Sequence, residues 1–192
     1  MSQVKRPQAP EARTRRVTDE EIERVIIASG YSPYDPPVST AERVACAFLF
    51  AIETAMRAGE ICALRHEDVD IDARVAHVRA IERGARKTGR PRSVPLTKRA
   101  VEIVRQVAAV TGDGYLFGLK PRNLDATWRN IRGRAGIDGL HFHDTRAEAL
   151  TRLSRKLDVM QLAKISGHRD LRQLLNTYYR EDPADFVSLL DD

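Results

Sequence analysis

The sequence predicts a mainly α-helical domain with a small three-stranded antiparallel sheet, an α+β arrangement. Three observations carry this reading. Apolar residues recur at helical spacing over most of the chain. One stretch, VDIDARVAHVRA at 69–80 with RSVPL at 92–96, changes to a period of two. Helix-start signals punctuate the rest. With 192 residues, 42% of them hydrophobic, the chain suits one domain with short tails.

The elements follow in order. Residues 1–16 are rich in proline, arginine and polar residues and read as a flexible basic lead or linker stump. The domain proper spans 17–192. Thr18 and Glu21 form a capping box that starts the first helix, and Gly30 can end it. YSPYDPPV, with three prolines in eight residues, is a loop. Ser39 and Glu42 form a second box before a strongly apolar helix over about 40–56. Residues 69–80 supply two short strands and RSVPL the third, with ERGARKTGRP as the connection. Pro95 fits a sheet edge or a strand end. Helices are then expected over 97–110, 121–135, 144–156, 158–165, 170–179 and 183–190, the last opened by Asp182 and Pro183.

Composition excludes several classes. Cys46 and Cys62 sit in apolar helical contexts, so they read as buried free thiols, and no CxxC pair suggests zinc. The longest apolar run, Val44–Ile52, is too short to cross a bilayer. The first seventeen residues lack the apolar stretch of a secretory signal. The expectation is a cytoplasmic protein without a membrane anchor.

Charge is concentrated. The chain carries a formal +5, yet residues 79–99 hold eight basic side chains against one acid, Glu82, a local net of +7. Arg83, Arg86, Arg90 and Arg92 are the candidates for contact with a phosphate backbone, the alternative being a solvated charge-rich loop.

Other residues could do chemistry. Arg57 ends an apolar helix, which calls for either a solvent exit or an anionic partner. His143 and Arg146, three apart at a helix start, share a face, where free N–H groups favour an anion. Ordinary capping by Asp144 explains the same residues. His141 lacks a carboxylate or cysteine at useful spacing, so no metal site is expected. His168 follows a glycine at the entrance to a helix ending in Tyr178 and Tyr179. Leu171, Leu174, Leu175 and Tyr178 share one stripe of that helix. Together these groups describe a site in which fixed cations hold a phosphodiester and a phenol attacks it.

ETAMRAGEICALRHEDVDID, KTGRPRSVPLT, HDTRAEAL and SGHRD, in this order, resemble the four boxes of the tyrosine recombinase (phage integrase) catalytic domain. The resemblance covers about residues 17–181. It implies site-specific DNA recombination by a phage or mobile-element integrase, through a 3′-phosphotyrosyl intermediate. Arg57 and Arg146 would bind the scissile phosphate, Lys87 would protonate the leaving 5′-hydroxyl, His143 would assist the nucleophile and His168 would hold a phosphate oxygen. Glu60 would support Arg57. Partners would be double-stranded DNA attachment sites and further copies of the chain; no cofactor is implied. A non-cleaving DNA-binding regulator and a type IB topoisomerase-like relaxing enzyme are the alternatives.

There are departures. The family tyrosine usually lies nine residues after the histidine of the last box, where this chain has Thr177. Tyr178 and Tyr179 stand at ten and eleven. Tyr178 is the expected nucleophile because it lies on the inward stripe with Arg180 two residues on; Tyr179 is the alternative. Ser166 replaces a leucine, His66 a tryptophan and Ala147 a second histidine. The family's N-terminal core-binding domain is expected to be absent.

Overall fold

The computed structural model describes residues 15–83, 86–88, 91–112 and 114–179, without the side chains of 81–83 and 86–88. Two capping boxes open the fold where the sequence places them. The Thr18 hydroxyl accepts the Glu21 N–H and starts α1 (Asp19–Ser29), which ends at Gly30 with φ +75°. Ser39 and Glu42 do the same for α2 (Thr40–Thr54).

The apolar run Val44–Ile52 makes α2 the central rod of the domain, buried on every side. Around it pack α1, α4 (Lys98–Ala108), α5 (Pro121–Arg134) and α6 (Asp144–Ser154). Phe48 of α2 stacks on Trp128 of α5 at 4.7 Å, and both meet Phe142 edge-on.

After α2 the chain turns at Ala55, a non-glycine residue with φ +55°, into a short α3 (Ala58–Ala63). Sequence periodicity merged this turn with α2. A 3-10 turn at His66–Asp68 follows, in which His66 Nε2 lies 3.2 Å from the Thr111 hydroxyl. The expected three-stranded sheet is present. It comprises β1 (Val69–Asp70), β2 (Val75–Val78) and β5 (Arg92–Pro95), antiparallel in the order β1-β2-β5. Pro95 ends the strand on the sheet edge. The segment read as a connection adds a two-stranded ribbon, β3 (Ile81–Arg83) and β4 (Arg86–Thr88), with Glu82 opposite Lys87.

Two last helices, α7 (Val159–Ser166) and α8 (Leu171–Tyr178), build a second, smaller apolar cluster. It is centred on Ala55, Ala149, Leu150, Leu162, Ala163 and Leu174. Leu174 is fully buried, whereas Leu175 is 42% exposed, so the inward stripe of α8 is narrower than expected. Residues 1–14, Arg90 and the expected helix 183–190 lie outside the described residues. Arg15 and Arg16, assigned to the flexible lead, both make ion pairs with the helices. Arg15 pairs with Glu21, and Arg16 Nε donates to Glu148 at 2.7 Å. No helix among the described residues is long and apolar enough to cross a membrane.

Candidate active site

The site forms where the ends of α2, α7 and α8 meet the starts of α3 and α6. Glu60 is its hub. The buried carboxylate accepts the Arg57 backbone N–H at 2.8 Å and Arg57 Nη1 at 3.2 Å. It also accepts both terminal nitrogens of Arg92, each at 2.8 Å. Burial alone would raise the Glu60 pKa. The hydrogen bonds from Arg92 and Arg57, with their charges, reverse that and hold it below the ordinary carboxylate value.

Arg92 was expected to face DNA. The structure corrects this: its side chain is only 7% exposed. Strand alternation is the cause, since Arg92 and the buried Val94 share the inward face of β5. Its Nε donates to the Ile165 carbonyl at 2.6 Å. Gly167 is required beside it: φ is +73°, and a Cβ there would lie 3.3 Å from Arg92 Cδ.

Arg146 is more enclosed still, 4% exposed. Its Nη1 donates to the Ala55 carbonyl and its Nη2 to the Ser166 carbonyl at 2.6 Å. The carbonyls of Ile165 and Ser166, at the C-terminal end of α7, are thus each held by a buried guanidinium. Burial and the charge of Arg57 lower the Arg146 pKa to about 9, which leaves it charged at neutral pH. Arg57 is the open member of the group, its side chain 43% exposed. Among the described residues, three guanidiniums gather round one carboxylate, so the site carries unneutralised positive charge.

Both histidines feel that charge. Partial desolvation of His143, then Arg146 and Arg57, lower its pKa, with Asp144 opposing. His168 is lowered to about 4, by burial first and then by Arg146, Arg57 and Arg92. Its Nδ1 lies 2.7 Å from the Ser166 hydroxyl. A cleft of 730 Å³ opens beside it, lined by Arg92, Lys164, Gly167, His168 and Arg169. A cavity of 710 Å³ near Arg43, Thr111 and Tyr115 contains none of these histidines or site arginines.

The two tyrosines part company. Burial raises the pKa of Tyr178, half-buried at the end of α8, while Arg146 and then Arg16 pull it down, so its phenol lies within the field of Arg146. The Tyr179 hydroxyl donates to the Leu157 carbonyl at 2.5 Å. Its ring lines a separate cavity with Leu157, Val159 and Leu175.

The profile of the phage integrase family matches residues 15–185. The chain belongs to the phage integrase family. A Haemophilus influenzae protein named as an integrase/recombinase is 46% identical over 189 residues, 98% of this chain and 60% of the relative. The shufflon-specific DNA recombinase of Escherichia coli is 36% identical over 190 residues, 98% of this chain and 46% of the relative. The chain therefore spans about half to three fifths of these relatives. Among solved structures, the Tn1549 transposon integrase in complex with transposon right end DNA superposes with a TM-score of 0.71 at 15% identity, over 96% of this chain and 67% of that one. The catalytic domain of bacteriophage HP1 integrase gives 0.63 at 16%, over 92% and 93%. These two likenesses establish the fold.

Within this integrase-family domain, the structure brings together Arg57, Glu60, His143, Arg146, His168 and Tyr178, and adds Arg92 as an internal brace. Lys87, Arg83 and Arg86 stand on the β3–β4 ribbon, their side chains outside the described residues. Three of the eight cations counted at 79–99 pair with carboxylates, one of these cations with its side chain buried. Arg79 pairs with Asp68 and Glu67, Arg92 with Glu60, and Arg99 with Glu102. Sequence reasoning missed Arg16, which lacks any motif, and the inward direction of Arg92, which the alternation of RSVPL already encodes.

Proposed function

We propose that this domain cuts and rejoins DNA at specific sites, as the catalytic part of a phage or mobile-element integrase. Tyr178 is the nucleophile. Its phenolate oxygen attacks the scissile phosphorus, forming a 3′-phosphotyrosyl bond, while the bond to the 5′-oxygen breaks and Lys87 protonates the leaving 5′-hydroxyl. Arg57, Arg146 and His168 bind the non-bridging oxygens, and His143 takes the phenol proton. A 5′-hydroxyl from a second strand reverses the step and conserves the bond energy. Arg83, Arg86 and Arg90 contact the DNA backbone. The partners are duplex attachment sites and further copies of the chain in the cytoplasm, and no cofactor enters the reaction.

The observation that carries this reading is the division between the tyrosines: Tyr178 lies in the field of Arg146, and Tyr179 donates its hydroxyl to Leu157. A concentrated positive site stabilises charge that grows on the phosphoryl oxygens in the transition state. The test is a nicked suicide substrate carrying candidate attachment DNA. A covalent adduct mapped to Tyr178, and lost in Tyr178→Phe with DNA binding retained, is the expected result. An adduct on Tyr179 would reassign the nucleophile. Binding without any adduct would favour the non-cleaving regulator.

A further inference from the structure

Ser166 ends α7 in the place where the family box has a leucine, and it is fully buried. Its hydroxyl oxygen lies 2.6 Å from the Leu162 carbonyl oxygen and 2.7 Å from His168 Nδ1. A hydroxyl has one proton, and a carbonyl oxygen can only accept. Two oxygens 2.6 Å apart need a proton between them, so the serine proton belongs to Leu162. The imidazole contact must then be made by a proton on Nδ1. His168 faces Arg146 from α6, Arg57 from the cap of α3 and Arg92 from β5, so the ring is neutral at pH 7 and carries a single proton.

We propose that Ser166 is a positioning residue that holds neutral His168 as its Nδ1–H tautomer, leaving Nε2 as a bare acceptor in the DNA-free protein. The consequence for the reaction rests on the function proposed above. To donate to a phosphate oxygen, Nε2 must first gain a proton. The arriving phosphodiester offsets the surrounding guanidinium charge, so the ring takes one proton from solvent and becomes imidazolium. Ser166 already accepts from Nδ1 and does not need to turn. A leucine in this position could neither fix the tautomer nor steady the imidazolium.

The test uses the whole chain with 15N-labelled histidine. Long-range 15N–1H spectra at pH 7 distinguish protonated from bare ring nitrogens, and His168→Gln assigns the signal. A protonated Nδ1 with a bare Nε2 is expected; the opposite pattern overturns the proposal. Ser166→Ala is expected to release the ring toward Nε2–H, and Ser166→Thr to keep the wild-type pattern. A wild-type tautomer in the alanine variant would also overturn it. These spectra need neither DNA nor cleavage, so they are independent of whether Tyr178 is the nucleophile. The linked step is read by calorimetry of Tyr178→Phe with the suicide-substrate duplex in buffers of differing ionisation heat. Uptake of about one proton is expected, and its absence would refute the linkage.

Discussion

Replacing Arg92 by methionine separates two physical roles that the sequence alone confuses. As a backbone contact, Arg92 would add a counterion-release contribution of about 0.9 to the slope of log affinity against log salt. As the brace seen here, it holds Glu60 through two 2.8 Å bonds and the Ile165 carbonyl through a third, with the two paired side chains 7% and 5% exposed. Removing one partner of a buried pair costs about 3–5 kcal/mol. Arg57 still pairs with Glu60 in the variant, which puts the loss at the low end, about 3 kcal/mol. For a domain of this size that lowers the melting temperature by about 6–12 °C. Thermal unfolding followed by circular dichroism, with DNA binding measured over a salt series, decides the matter. A melting temperature within about 2 °C of wild type, together with a slope reduced by about one, would refute the brace.

Further outcomes follow from the same geometry. Ala55 occupies the left-handed region at φ +55°, where a non-glycine residue is strained by about 1–2 kcal/mol. Ala55→Gly relieves that strain but costs unfolded-chain entropy and a buried methyl of the second cluster, so the net change in urea unfolding stays within about 1 kcal/mol. His168, lowered to about 4, binds its proton less readily than in the unfolded chain. Stability therefore falls as pH drops below about 6.5 and levels off below about 4, and His168→Gln flattens that part of the profile. Glu60 acts with its own sign: its pKa is depressed, so its contribution is present above the ordinary carboxylate value and is lost as pH falls through the folded value. Glu60→Gln should show less additional loss of stability in acid than wild type. Tyr179→Phe removes the hydroxyl bonded to Leu157 and keeps the ring; it should cost about 1 kcal/mol of stability and leave the adduct on Tyr178.

Much of the fold was legible because its signals are local. Thr18–Glu21 and Ser39–Glu42 announce two helix starts within four residues each, and the change of period at 69–80 announces the sheet. The missed elements have a different origin. A turn through positive φ at Ala55 leaves no glycine to mark it, so the helix read over about 40–56 ran through the turn and α3 went unpredicted. The β3–β4 ribbon lies in so polar a stretch that alternation of apolar residues could not reveal it. The residues of the site were recognisable by motif, but their state was not. Whether an arginine faces solvent or a buried carboxylate depends on what the far end of the chain brings to it. Arg92 turned inward to Glu60 and the distant Ile165 carbonyl, whereas Arg99 stays at the surface beside Glu102, three residues on.

The arginine bonds that shape the site join residues distant in the chain. Arg146 reaches Ala55 across 91 positions, and Arg92 reaches Ile165 across 73 and Glu60 across 32. Contacts that close such long loops carry a large entropic cost until the segments between them are in place. A growing chain that has made α1, α2 and the sheet has neither Arg146 to meet Ala55 nor the end of α7 to meet Arg92. The assembled arginine cluster is therefore among the last features the domain acquires as it matures and among the first it loses on partial unfolding.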